Sequence, residues 1–406
     1  MLTSELQQQV NQARHHSDQL FAILQPEALY ERPIAERHRL IFYLGHLEAF
    51  DRNLLGQAAP SRFPELDRLF AFGIDPVDGD LPTDQPGDWP ARQAVEEYIA
   101  GTRAEVDSLL DGSDPNRLQV AVEHRWMHCE TLAYLFHRLP YGQKKSLPQE
   151  SQDTRPARPE WREVPAGSIQ LGQSRGRSFG WCNEFEALQL EVEAFEMESL
   201  PVSNGRFLEF VQAGGYSQRQ YWDDADWDWK ERAGVSHPGF WIARGDGWDY
   251  RGMFAQIPLP LSWPVYVSHA EASAYARWRG LVLPGEAQFQ RAAYGGGSLN
   301  LESANLDFRG WEPRPAGSDP ASDSAFGLSE LVGNGWEWTS TAFGPLPGFQ
   351  AFDFYKGYSA DFFDGKHYVL KGASARTAMC LTRPSFRNWF QPHYPNVYAK
   401  FRCVRA

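Results

Sequence analysis

What this chain of 406 residues lacks already narrows its possible roles. It carries only four cysteines, Cys129, Cys182, Cys380 and Cys403, with no CxxC spacing between them. Scattered thiols of this kind read as reduced side chains in a cytoplasmic protein, not as a disulfide framework. No run of about 18 apolar residues occurs, so no segment is expected to span a membrane. The opening stretch MLTSELQQQVNQARHH has no apolar core of a secretory signal. Positive charge is in short supply. Lys and Arg number 39 against 52 Asp and Glu, a net charge of −13, and there is no basic stripe. Nucleic acid is therefore a poor partner, because phosphate binding needs clustered cations. There is no P-loop, no dinucleotide fingerprint, no evident catalytic triad, no internal repeat and no low-complexity segment.

Aromatic residues, by contrast, are plentiful. They make up 14% of the chain, beside 35 Gly and 28 Pro. That mixture predicts a loop-rich portion whose irregular segments are pinned by large side chains. The length suits two domains better than one core.

The first part is expected to be helical. Residues 4–24 place Leu6, Val10, Leu20 and Leu24 at helical spacing. Residues 35–55 do the same with Leu40, Tyr43, Leu44, Leu47 and Phe50. After a Pro/Asp/Gly-rich stretch at 75–90, a third helix is predicted over 91–110. A fourth starts at Asp114-Pro115, a capping residue followed by a first-turn proline, and runs to Leu139. Four helices with one long connection fit a bundle over residues 1–145. Residues 146–161, polar and proline-rich, read as a linker. Beyond them the texture changes to an irregular, loop-rich domain over 162–406. Short helices are expected at 203–213, 269–280 and 285–294, and brief strands at 168–171, 265–267 and 368–371. The fold class is thus α+β in two domains.

Three of the eleven histidines stand out. His124 and His128 lie four apart, so one helix face presents both rings. His46 sits on the second helix among Phe42, Tyr43 and Phe50. Bundle cores are where facing helices build metal sites. Three neutral imidazoles would leave open positions on a divalent ion, although zinc, copper, nickel and iron all accept imidazole. Spacing alone equally allows core histidines and a surface coincidence. Glu130 reads as an ordinary solvated glutamate, with a supporting role to a ligand as the alternative. Cys129 reads as a small helix residue and not a ligand. In the second domain, Tyr358 lies in an aromatic loop. Arg387, Asn388, Trp389 and His393 bunch in SFRNWFQPHYP, where they suit either a packed loop or the binding of a carboxylate and a cationic amine.

The pattern HRWMHCE at 124–130, with YLGHLEAF around His46, resembles the DinB-like domain of ergothioneine/ovothiol-type sulfoxide synthases (EgtB-like). The second half resembles the C-type-lectin-like fold of formylglycine-generating enzyme, also called sulfatase-modifying factor, which that family carries. The matching pieces are VPAGSIQLG at 164–172, PVSNGRFLEFV at 201–211, WPVYVSHAEASAYARWRG at 263–280, LPGEAQFQRAAYG at 283–295, LVGNGWEWTS at 331–340, VLKGAS at 369–374 and FRCVRA at 401–406. They cover nearly the whole chain in the family's order. The resemblance implies iron(II) held by His46, His124 and His128 and facing the second domain, with O2 as cosubstrate. It implies oxidative carbon–sulfur bond formation between hercynine and a thiol, giving a sulfoxide. A loop tyrosine would deliver a proton. Tyr358 is the residue that aligns, with Tyr355 as the fallback. Asn388 and Trp389, with Arg387 beside them, fall in the segment that contacts substrate.

This chain also departs from the family pattern. Enzymes that take γ-glutamylcysteine carry a glutamine where Met127 stands, and Met127 cannot hydrogen-bond a carboxylate. They follow the Asn-Trp pair with acidic and basic residues, where this chain has Phe390, Gln391 and His393. Free cysteine is therefore the favoured donor. Selenoneine synthases and ovothiol-type enzymes, which act on histidine itself, remain alternatives on the same scaffold. A copper-dependent formylglycine-generating oxidase would need two cysteines in the third and eighth places after Ser374. Thr377 and Thr382 stand there, with Cys380 between them. A non-catalytic binding protein is the most distant reading. A monomer or weak oligomer is expected.

Overall fold

The computed structural model describes residues 2–56, 60–71, 73, 81–148 and 156–405. Contacts divide the chain into two compact units, Met1–Pro148 and Gln149–Ala406. Residues 149–155 of the expected linker, and 75–80 of the loop expected at 75–90, lie outside the described residues.

The first unit holds helices α1 (Leu2–Phe21), α2 (Leu40–Leu55), α3 (Pro64–Phe70), α4 (Arg92–Leu109) and α5 (Pro115–Arg138). α1 packs on α5, and α2 packs on both α4 and α5. Helix α5 starts as its sequence predicts. The Asp114 carboxylate accepts from the Asn116 and Arg117 N–H groups, and Pro115 occupies the first turn. α2 is buried on nearly every side, Glu48 and Asp51 included. A helix apolar over most of its surface belongs in a bundle interior, and α2 takes that position. The seven-residue α3 was not expected. It is too short to show a period, and a tertiary feature holds it in place. The Tyr98 hydroxyl donates to the Asp67 carboxylate at 2.7 Å, and Phe70 lies against Trp89 with ring centroids 6.3 Å apart.

The second unit is built of short pieces. One sheet joins β1 (Trp161–Val164), β4 (Phe195–Glu198) and β12 (Val404–Arg405). A pair joins β2 (Gly167–Leu171) and β3 (Leu188–Val192). A third sheet joins β5 (Trp241–Arg244), β6 (Gly247–Arg251) and β7 (Gln256–Pro258). The largest runs β10 (Asn388–Phe390), β9 (Tyr368–Ala373), β8 (Gly335–Ala342), β11 (Ala399–Lys400). Four helices accompany them: α6 (Asn204–Gln212), α7 (Asp224–Ala233), α8 (His269–Trp278) and α9 (Glu286–Tyr294). The segment 265–267, expected to be a strand, forms no ladder. The Val265 N–H donates to Val202 at 3.0 Å and the Val267 N–H to Ala399 at 3.1 Å, single bonds to two separate segments.

Short strands leave many carbonyls without ladder partners, and buried carbonyls must be paired. Buried cations do this here. Lys371 donates to the carbonyls of Pro384 (2.8 Å) and Phe386 (2.7 Å). Arg402 donates to the Ser329 carbonyl at 2.7 Å and pairs with Glu337. Lys400 bridges Glu337 at 3.0 Å and the Gly335 carbonyl at 2.8 Å. Among the described residues no helix is long and apolar enough to cross a membrane.

Candidate metal centre

His46 lies mid-way along α2, and His124 and His128 share one face of α5. Because α2 and α5 pack together, the three rings meet inside the bundle. Their centroids are 5.5 Å (His46–His124), 5.0 Å (His46–His128) and 4.4 Å (His124–His128) apart. One ring nitrogen from each falls within 4.8 Å of the others, and all three residues are buried. Among the described residues this is the one group of three or more His, Cys, Asp or Glu placed to hold a metal.

Each ring is oriented from outside. The His46 Nδ1–H donates to the Phe70 carbonyl at 2.8 Å. A carbonyl can only accept, so the tautomer is fixed and the Nε2 lone pair is left for a ligand role. Gly45 permits this contact. A Cβ there would sit 2.4 Å from the Phe70 ring, so a larger residue would push α3 and its carbonyl away. Phe42 stacks on His46 at 4.9 Å and 23°. Phe50 stacks on His124 at 3.4 Å and 8°. Tyr43 closes on His128 at 6.0 Å.

The electrostatics favour lone pairs over protons. Burial lowers His46 to about 4 and holds His124 and His128 well below their ordinary value. All three are neutral at pH 7. The Nε2 atoms of His124 and His128 are 3.2 Å apart. Two nitrogens bound to one first-row metal at roughly 2.1 Å, subtending about 90–110°, lie roughly 3.0–3.4 Å apart. The separation suits one cation between them, so the residues fit a metal. Cys129, next to His128, is not in the group, and burial pushes its thiol up to about 12. Glu130 departs from the sequence expectation. It is 8% exposed, and so is not a solvated surface glutamate. α5 is buried around most of its girth there, which a one-face reading of the helix does not anticipate.

Met127 is half-buried on α5, and its carbonyl accepts from the Thr131 hydroxyl at 3.3 Å. The other predicted site residues belong to the second unit. Tyr358 is buried, stacks on Trp181 at 3.9 Å, and meets Trp389 edge-on at 5.3 Å. Trp389 in turn stacks on Phe343 at 4.3 Å and 6°. Asn388 is half-buried beside them. Arg387 lies at 4% exposure with its guanidinium in a fork on Glu286, at 2.8 and 2.9 Å, and on the Gly344 carbonyl at 2.8 Å. The structure thus joins Tyr358 and Trp389 in one aromatic cluster and gives Arg387 an internal carboxylate partner. Trp181 and Phe343 were not singled out from sequence. Only their aromatic type hinted at them, and 57 aromatic residues (15 Trp, 16 Tyr and 26 Phe) share that signal.

A buried ion cluster beside the histidines was also missed. Arg125, adjacent to His124, pairs with Glu48 at 3.0 Å and Asp51 at 2.7 Å, both on α2. Arg103 of α4 adds a second cation to Glu48 at 2.8 Å. The available signal was the presence of Glu48 and Asp51 within a helix that is apolar over most of its length.

Residues 147–406 match the family described as Sulfatase-modifying factor enzyme 1-like domain. Residues 9–138 match the DinB superfamily. A hercynine oxygenase of Mycolicibacterium smegmatis is 31% identical over 419 residues, covering 93% of this chain and 95% of its own. One from Mycobacterium tuberculosis is 35% identical over 237 residues, 55% of each chain. Ergothioneine biosynthesis protein 1 of Neurospora crassa is 25% identical over 94% of this chain and 55% of its own. The matched region therefore spans about half the length of the last two.

Proposed function

The chain belongs to the hercynine oxygenase family, with its DinB-superfamily and sulfatase-modifying-factor-like parts, and on that basis we propose that it is an oxidoreductase of ergothioneine biosynthesis, a sulfoxide synthase joining hercynine to a small thiol with O2. The observation that carries this reading is the convergence of three buried, neutral imidazoles from α2 and α5.

The metal we assign to His46, His124 and His128 is iron(II). Three neutral nitrogen donors leave the dication its full charge and vacant positions, and when bound it supplies O2 activation next to the substrate. The chain's own residues do the rest. Burial keeps the imidazoles unprotonated, so no proton competes for the lone pairs at neutral pH. The Phe70 carbonyl aims His46. Tyr358 is the proposed proton donor. Its ring is clamped between Trp181 and Trp389 in surroundings poor in water, where a positioned phenol is an effective acid. Trp389 offers a π-face to the trimethylammonium group of hercynine, and the Asn388 amide offers a donor to its carboxylate. The half-buried Met127 brings no donor for a second carboxylate, which favours free cysteine over γ-glutamylcysteine. The four free thiols suit a reducing cytoplasm.

The test is turnover. Purified protein is loaded anaerobically with iron(II) and mixed with O2, hercynine and cysteine, with O2 uptake and product mass followed together. A hercynine–cysteine sulfoxide is the expected product. γ-Glutamylcysteine, a selenosugar, and histidine in place of hercynine are run in parallel. A sulfoxide or selenium product from one of these alone would reassign the donor or acceptor. Absence of hercynine-dependent O2 uptake in every mixture would overturn the reading.

A further inference from the structure

We propose that Arg125 is the positioning residue of the metal centre, locking α5 against α2 so that His124 and His128 meet His46 in register. The inference rests on the three-histidine metal reading and extends it to a residue whose interactions are with α1 and α2.

Arg125 follows His124 directly in the chain and is 1% exposed. One terminal nitrogen donates to the Leu47 carbonyl at 3.0 Å, one residue past His46, and to the Asp51 carboxylate at 2.7 Å. The other donates to Glu48 at 3.0 Å and to the Ser17 hydroxyl of α1 at 3.3 Å. A planar guanidinium presents its N–H groups in a fixed fork. Three of its acceptors lie on α2 within the five residues 47–51. A slide by one helical rise of roughly 1.5 Å would distort the lengths and angles of these bonds and weaken the pairing of a buried charge. Ligand nitrogens must hold their places to within roughly 0.2 Å. The fork therefore supplies the registration that the metal needs, from the residues flanking two of its ligands.

Arg103 provides the contrast. It meets the same Glu48 and also Asp18, from a position 24% exposed on α4. Its hydrogen bonds run to the carboxylates of Glu48 and Asp18, and so to no residue directly beside His46 or His124.

The test titrates full-length metal-free protein with cobalt(II) under anaerobic conditions. Affinity is read from the visible absorption bands, with the melting temperature of each metal-free variant taken by circular dichroism. Arg125→Lys keeps the charge and loses the fork. It is expected to weaken cobalt(II) binding by about 10- to 100-fold, the range for groups that orient metal ligands, and to alter the bands. Arg103→Met is expected to lower the melting temperature while keeping affinity within about twofold of wild type. If Arg125→Lys does not fold, Asp51→Ala, which removes one acceptor of the fork, takes its place with a smaller loss in the same direction. Wild-type affinity and spectrum in the Arg125 or Asp51 variant would overturn the proposal. So would affinity losses that simply track melting temperature across Arg125 and Arg103. Wild-type protein that binds no cobalt(II) would instead remove the metal centre itself, a separate failure.

Discussion

In the bundle, Arg125 bridges two helices of 16 and 24 residues, and its partners lie on neighbouring turns of α2. In the loop-rich unit, Arg402 and Lys400 converge on Glu337, and Arg383 reaches Glu184 from 199 residues away. Both units bury ion pairs, yet the pairs have different duties. Long helices already satisfy their own backbone, so a buried charge is free to set the register between two of them. Short strands do not, so buried cations in the second unit gather stray carbonyls and hold segments remote in sequence. On the proposed reading, the Arg125 cluster of the bundle serves a site, while the buried cations of the second unit serve the fold.

The largest test of this contrast is at the histidines proposed as metal ligands. His124→Ala or His128→Ala is expected to abolish iron binding and turnover, measured by metal analysis and O2 uptake. Full metal occupancy in either variant would dissolve the bundle's special role. Next in size is the second unit's own pairing. Glu286→Gln leaves the buried Arg387 without its carboxylate, both side chains being under 5% exposed. Removing one partner of such a pair costs about 3–5 kcal/mol, read from denaturant unfolding, and metal affinity should hardly move.

A pH experiment sharpens the comparison further. Burial lowers His269 on α8 to about 4 from its ordinary 6.5, and its Nε2–H donates to the Thr339 carbonyl at 3.1 Å. The unfolded chain takes up this proton first as pH falls. The stability that the neutral ring contributes is therefore fully present above pH 6.5 and is lost as pH drops from 6.5 towards 4. The full effect is about 3 kcal/mol. His269→Gln should flatten the acid limb of the stability curve relative to wild type, and an equally steep limb would assign the slope to other groups. The smallest structural effect belongs to Tyr358→Phe. It keeps the stack on Trp181, so unfolding should change by no more than about 1 kcal/mol. The ratio of products should move towards cysteine sulfinate. An unchanged ratio passes the proton-donor role to Tyr355.

The bundle was largely legible because its signals are local. Asp114-Pro115 starts α5 where the sequence says it should. The four-residue step from His124 to His128 puts two rings on one face, whatever surrounds them. α3 was not legible, because seven residues carry no period and its place depends on Tyr98, Trp89 and the missing side chain of Gly45. The buried state of Glu130 was equally hidden, since one helix's pattern does not reveal how many neighbours will cover it. In the second unit, residues 265–267 looked like a strand because Val265, Tyr266 and Val267 are strand formers. They found no ladder, as their backbone partners come from two different places.

Local sequence was enough to specify four long helical segments, two imidazoles side by side on α5, and a second domain of short elements between aromatic-pinned loops. Periodicity, capping and composition are properties of neighbours along the chain. Tertiary structure alone decided that His46 would close the trio, that the Phe70 carbonyl would aim it, that Arg125 would grip α2 beside it, and that Arg387 would find Glu286. Each of these pairs lies 24 to 101 residues apart in the chain. At such separations a contact is set by how whole elements pack, and no local pattern records it.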